Sequence, residues 1–118
     1  MFQENLKRIV DSTDGGVAAL LMGFDGIAVD NYTAPEAATD VASVGMEYGF
    51  IFTQAKKASE SLELGEVQEI TLRTEKLTVL LRALTKEYFL ALAIRPDGNF
   101  GKGRYLLRTV GPKMQAEL

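Results

Sequence analysis

Residues Gly16 to Tyr32, GVAALLMGFDGIAVDNY, leave a folding chain few choices. An apolar run, the Asp25-Gly26 pair and a second run in which Ile27 and Val29 alternate with Ala28 and Asp30 predict two antiparallel strands joined by a two-residue turn. Immediately afterwards, Thr33-Ala34-Pro35-Glu36 has the residues of a capping box, in which the Thr33 hydroxyl accepts from the Glu36 amide and the Glu36 carboxylate reaches back. The spacing therefore predicts a helix from about Ala34 to about Leu62, ending in the charged run Leu62-Glu63-Leu64-Gly65-Glu66. A hairpin followed by a helix marks a topology and carries no chemistry.

The remaining elements follow from periodicity. Phe2, Leu6, Ile9 and Val10 share one helical face, with Gln3, Glu4, Lys7 and Arg8 opposite, until Asp14-Gly15-Gly16 breaks the pattern. Three strand-like runs, Val67 to Thr74, Leu77 to Leu84 and Tyr88 to Ile94, are separated by Glu75-Lys76 and Thr85-Lys86-Glu87. The last of them, YFLALAI, is apolar on both sides, which places it at or near the centre of a sheet covered on each face. Pro96, Asp97 and Gly98 close it, and from about Gly101 a helix resumes with Leu107, Val110, Met114 and Leu118 on one face. Gly111-Pro112 predicts a kink or break in that helix, because proline removes a hydrogen bond and clashes with the preceding turn. The order is α-β-β-α-β-β-β-α. We expect an α/β (α+β) domain spanning residues 1–118, with a mixed five-stranded sheet, one long helix on one face and the terminal helices on the other.

Composition narrows the function classes. A chain of 118 residues with 47% apolar content is long enough for a single core without staples. The absence of cysteine removes disulfides and thiolate chemistry and fits a reducing interior, so a cytoplasmic location is expected. No apolar run reaches the twenty or so residues of a membrane span, and Met1 to Val10 is an amphipathic mixed-charge segment unlike a signal peptide. No membrane contact is expected. A net charge of -3 and a pI near 5.0 argue against nucleic acid as a partner, since phosphate binding wants a basic face.

The order of elements, the apolar-strand/Asp-Gly/Ile-Ala-Val hairpin, the long helix rich in Ala and Gly, and the closing run Asn99-Phe100-Gly101-Lys102-Gly103-Arg104-Tyr105-Leu106-Leu107-Arg108 together resemble the Roadblock/dynein light chain family across the whole chain. Pro112 departs from the family's uninterrupted final helix. The resemblance implies a non-enzymatic dimer that joins two sheets edge to edge and lays two central helices side by side. It also implies a role as a subunit of a motor or lysosomal scaffold or, in prokaryotes, as a regulator of a Ras-like GTPase, for which the gliding-motility GTPase-activating proteins are the best-defined case.

Helical geometry tests the dimer independently. Ala37, Val41, Val44, Tyr48, Ile51, Phe52 and Ala55 form a broad stripe expected to cover the sheet. Beside it runs a stripe of small residues, Ala38, Ala42, Gly45 and Gly49. Each glycine inside a soluble helix costs roughly 0.5 to 1 kcal/mol against alanine, and close approach of another backbone would compensate. That backbone belongs either to a partner helix, making these four residues a dimer interface, or to the helix's own sheet. Met46 and Phe50, with Gln54 on the adjoining polar face, are expected to be exposed, either as a partner-binding surface for a GTPase or incidentally. In the run Val67 to Thr74, Ile70 and Leu72 share one face and Glu69, Thr71 and Arg73 the other, the alternation of an edge strand. That edge either pairs with its copy in a second subunit or is guarded by its charges.

Catalytic readings find little support. There is no histidine, and the carboxylates are scattered without the spacing of a matched pair, so no catalytic residue is expected. Ser43 in Val41-Ala42-Ser43-Val44-Gly45 lacks the first glycine of a nucleophile elbow and falls mid-helix. Asp11 and Asp14 have no bidentate glutamate at calcium-loop spacing, and no metal or other cofactor is expected. Gly98-Asn99-Phe100-Gly101-Lys102-Gly103 lies where backbone amides could hold an anion but lacks the Lys-Ser/Thr ending of a nucleotide loop, and reads better as a strand-to-helix turn. No arginine stands out as a finger, since Arg73, Arg82 and Arg95 lie on or beside strands and Arg104 and Arg108 on the last helix. Three functions remain open: a homodimeric regulator of a Ras-like GTPase, a structural adaptor in a larger assembly, and a small-ligand sensor.

Overall fold

Eight elements follow one another in a computed structural model that describes residues 2–118: α1 (Phe2–Ser12), β1 (Gly16–Gly23), β2 (Ala28–Thr33), α2 (Val41–Ser61), β3 (Glu69–Arg73), β4 (Thr78–Ala83), β5 (Tyr88–Ile94) and α3 (Phe100–Gln115). Met1, where the amphipathic first segment begins, lies outside the described residues. The order is the one that periodicity predicts. The sheet runs β2-β1-β5-β4-β3, so the doubly apolar β5 is its central strand.

All four ladders are antiparallel, which corrects the expected mixed sheet. The reason lies in the connections. Helix α2 carries the chain from β2 to β3, and these two strands occupy opposite edges, so the crossover creates no parallel neighbours.

Alternation along β5 divides the core. Leu90, Leu92 and Ile94 point to the side covered by α1 and α3, where they meet Leu6, Ile9, Leu106, Val110 and Met114. Phe89, Ala91 and Ala93 point the other way, toward Val41 and Phe52 of α2. Burying each large aliphatic side chain contributes roughly 1.5 to 3 kcal/mol, so both layers are needed to hold the sheet.

Three local expectations are overturned. Helix α2 starts at Val41, not near Ala34, because Thr33 pairs with Ala18 in the ladder and the Ala34 amide extends that ladder to the Val17 carbonyl (2.8 Å). The cap is Asp40, whose carboxylate accepts from the Ser43 amide (3.2 Å) and hydroxyl (2.7 Å). The hairpin turn is longer than two residues: Gly26 takes φ +91°, its amide donates to the Gly23 carbonyl, and β2 begins only at Ala28. Of the kink or break expected in α3, the break is absent: the helix runs through Gly111-Pro112, since Pro112 lies on the exposed side, where the lost amide is no burden, while Gly111 sits against Leu84 and Leu90.

Candidate functional site

Helix α2 is seated by its glycines. A Cβ on Gly49 would lie 2.8 Å from the Phe89 ring, and one on Gly45 would collide with Leu20. Both are buried against their own sheet, so the close approach they permit is intramolecular, and the expected small-residue dimer stripe is corrected on that point. Of its other members, Ala42 is half-buried, and Ala38 is exposed but precedes the helix.

Seating on the glycines turns the helix. The buried arc is Val41, Gly45, Gly49 and Phe52, rotated by roughly 70° from the stripe that hydrophobicity predicts, at 100° per residue. Val44, Tyr48 and Ala55 are left half-buried, and Ile51, expected in the core, is 42% exposed. Met46 and Phe50 stand further out, at 57% and 64%, and Gln54 is exposed beside them.

Two apolar surfaces flank the helix as a result. Met46 and Phe50 border a cleft of about 250 Å³ whose other wall is Met22, Phe24 and the hairpin turn, with Phe89 contributing. The wall is braced: the Phe24 ring packs edge-on to Phe52 at 5.2 Å and tilted to Phe89 at 5.0 Å, while the Lys56 ammonium sits 3.5 Å above its centroid. The turn is tied by the Gly23 amide to the Ile27 carbonyl (2.9 Å) and by the Ile27 amide to the Asp25 carboxylate (3.1 Å), which leaves Ile27 67% exposed at the tip. Sequence reasoning missed Phe24 as a site residue, although an apolar residue directly before Asp-Gly, where a polar one would suffice, was the available signal.

The second surface lies roughly 140° around α2 from Met46, where Ile51 adjoins half-buried Val44 and Tyr48. Ile70 and Leu72 of β3 face the same side of the sheet and are half-buried. β3 is an edge strand, paired only to β4, so one side of its backbone is open.

The polar constellations have structural roles. Asn99 caps α3 by accepting from the Lys102 amide (3.0 Å), and its own amide donates to the Asp14 carbonyl (2.8 Å), so the glycine-rich run Gly98–Gly103 is a strand-to-helix turn. The Ser43 hydroxyl is engaged by Asp40 and holds the Asp40 carboxyl below its ordinary range. Lys7, bonded to Asp11 at 2.6 Å, is held above its ordinary value by that carboxylate. Glu69 accepts from Arg82 (3.0 Å) and Arg104 (2.8 Å), and Arg95 pairs with Asp97 at 3.5 Å. Among the described residues, no three His, Cys, Asp or Glu side chains are grouped to hold a metal, and no helix is long and apolar enough to cross a membrane.

Known proteins share this architecture. The chain is similar to MglC from Myxococcus xanthus, with 42% identity, coverage of 99% of this chain and 98% of that one, and a TM-score of 0.73. It also superposes on a Roadblock/LC7 domain from Streptomyces avermitilis (11% identity, 98% and 95% coverage, TM-score 0.86) and on the gliding protein MglB from Thermus thermophilus (16% identity, 96% and 84% coverage, TM-score 0.85). No family model matches the chain, and no curated protein matches it.

Proposed function

Because this chain belongs to the Roadblock/LC7 family, in the branch of the gliding-motility proteins, we propose that it is a single-domain, non-enzymatic regulator of a Ras-like small GTPase, acting as a homodimer in the cytoplasm. The observation that carries this reading is the outer surface of α2, where Met46, Phe50 and Ile51 stand in solvent on a helix whose inner face is already filled.

Each flank has a part. Ile51, Val44 and Tyr48, continuous with Ile70 and Leu72 at the open β3 edge, form the dimer face. Pairing two β3 strands satisfies their free amides and carbonyls, and laying two α2 helices together covers the half-buried apolar residues. The Met46–Phe50 cleft receives the GTPase, with exposed Gln54 one turn beyond Phe50 on the same helix: a flexible methionine beside an aromatic ring adapts to a partner that changes shape with its nucleotide. No arginine projects from this cleft, so regulation works by positioning the GTPase's own switch residues.

Affinity capture from the protein's own cell lysate, with excess GDP and again with a non-hydrolysable GTP analogue, tests the reading. A Ras-like GTPase retained in one nucleotide state, and lost with Phe50→Glu, is the expected result. Capture of a large assembly indifferent to nucleotide and free of any GTPase would make the protein an adaptor and sink the regulatory role.

A further inference from the structure

On the opposite face of the sheet, the seam between α3 and the β3 edge gathers cations from three elements. Helix α3 contributes Lys102, Arg104 and Arg108, and has no carboxylate between Phe100 and Gln115. β3 contributes Arg73 and β4 contributes Arg82. Among the described residues, only Arg82 and Arg104 of these five cations are paired with a carboxylate, that of Glu69, and the net charge of the chain is -3, so the rest of the surface is more acidic than that figure implies.

The geometry favours recognition of carboxylates. Glu69 shows how: Arg82 donates to one of its oxygens at 3.0 Å and Arg104 to the other at 2.8 Å. Arg73, Lys102 and Arg108 have aromatic supports and, among the described residues, no paired carboxylate. The Arg73 guanidinium lies 4.8 Å from the Phe100 ring centroid, and Lys102 and Arg108 lie 5.7 Å and 5.9 Å from that of Tyr105. Tyr105 is 50% exposed and borders a cleft of about 350 Å³ with Arg82, Arg104 and Arg108.

We propose that this seam docks an acidic segment of a partner protein, with its Asp or Glu carboxylates held by Arg73 and Arg108 and its apolar side chains laid on Phe100 and Tyr105. Its shape selects a segment over a surface. From Phe100 to Arg108 it extends about 12 Å along α3, the span of a few extended residues. A membrane or a nucleic-acid duplex is broader and would meet the acid excess outside the seam. The site shares no residue with the Met46–Phe50 cleft, so it stands or falls separately from GTPase docking there, while its Arg73 lies on β3, the strand assigned to the dimer edge.

Fluorescence anisotropy of a labelled peptide of alternating glutamate and leucine tests it on the intact chain. We expect saturable binding, weakened about tenfold or more by Arg73→Glu or Arg108→Glu and less by Arg108→Gln, and little changed by Arg8→Glu, an equal charge reversal on exposed α1. Circular dichroism of each variant should match the parent, since all three positions are exposed. No binding, or an equal loss with Arg8→Glu, would overturn the proposal. So would displacement of the peptide by inorganic phosphate or phosphatidylglycerol vesicles at matched ionic strength, which would reassign the seam to phosphate. Salt-sensitive self-association abolished by Arg108→Glu would reassign it to a second copy of this chain.

Discussion

Helices α2 and α3 are seated by the same device and present opposite chemistry. In α2, Gly49 lets the backbone down onto Phe89; in α3, Gly103 does so over Ile94 and Leu92, where a Cβ would stand 2.9 Å from each. Outward, α2 shows Met46, Phe50 and Ile51, whereas α3 shows Lys102, Arg104, Tyr105 and Arg108. The small residues set how deep a helix lies and say nothing of a partner. What each helix meets is decided by the residues that depth turns outward.

The largest effect should come from breaking the seating. Gly49→Leu and Gly103→Leu should each destabilise the fold by about 3 kcal/mol or more, because the added side chain has only packed core to enter. Chemical denaturation measures this, and parental stability in either variant would show that the glycines are not what seats the helices. Next comes the outward residue. Ile51→Glu should raise the dissociation constant of a dimer by about 100-fold and lower the denaturation midpoint only at concentrations where the parent is dimeric, whereas Arg108→Glu should not change the molar mass. Sedimentation velocity over a dilution series separates the two, and equal effects would erase the distinction between the helices.

Smaller effects sharpen the charged side. Glu69→Ala should cost about 1 kcal/mol, because the Arg82 side chain, 24% exposed, loses its partner, while Asp11→Ala, which frees the well-exposed Lys7, should leave the midpoint unmoved. The smallest effect belongs to the α2 cap. With the Asp40 carboxyl held below 3.8 by the Ser43 hydroxyl and amide, the folded chain takes up that proton less readily than the unfolded one. The contribution is therefore present at neutral pH and lost as pH falls below 3.8 through the folded value. The stability gap between the parent and Asp40→Ala should narrow only in that acid window, and a gap independent of pH would remove the charge from the cap's role.

Much of the fold is legible in the sequence because its signals are local. Alternation and turn residues mark all five strands, and the doubly apolar YFLALAI places β5 at the centre. The start of α2 is misread because Thr33 satisfies two local patterns and the ladder with Ala18 prevails, while the working cap, Asp40 with Ser43, has a plain signature three residues apart. The phase of α2 is misread for a different reason. Glycine carries no hydrophobic weight, yet Gly45 and Gly49 are where the helix comes closest to the sheet, so periodicity points to Ile51 instead. Exposure of Met46 and Phe50 is readable from the wheel, but the hairpin turn that completes their cleft is not, since only the tertiary fold brings Phe24 against Phe52. The arginine seam is hidden in the same way, its cations lying far apart in the chain on three elements.

The central claim is that the outer face of α2 and the open β3 edge join two copies of this chain. Light scattering of the purified protein on a sizing column tests it most directly. A molar mass twice the 12.9 kDa of the chain, falling to 12.9 kDa with Ile51→Glu, is the predicted result. A parent protein that elutes at 12.9 kDa at micromolar concentration would contradict it.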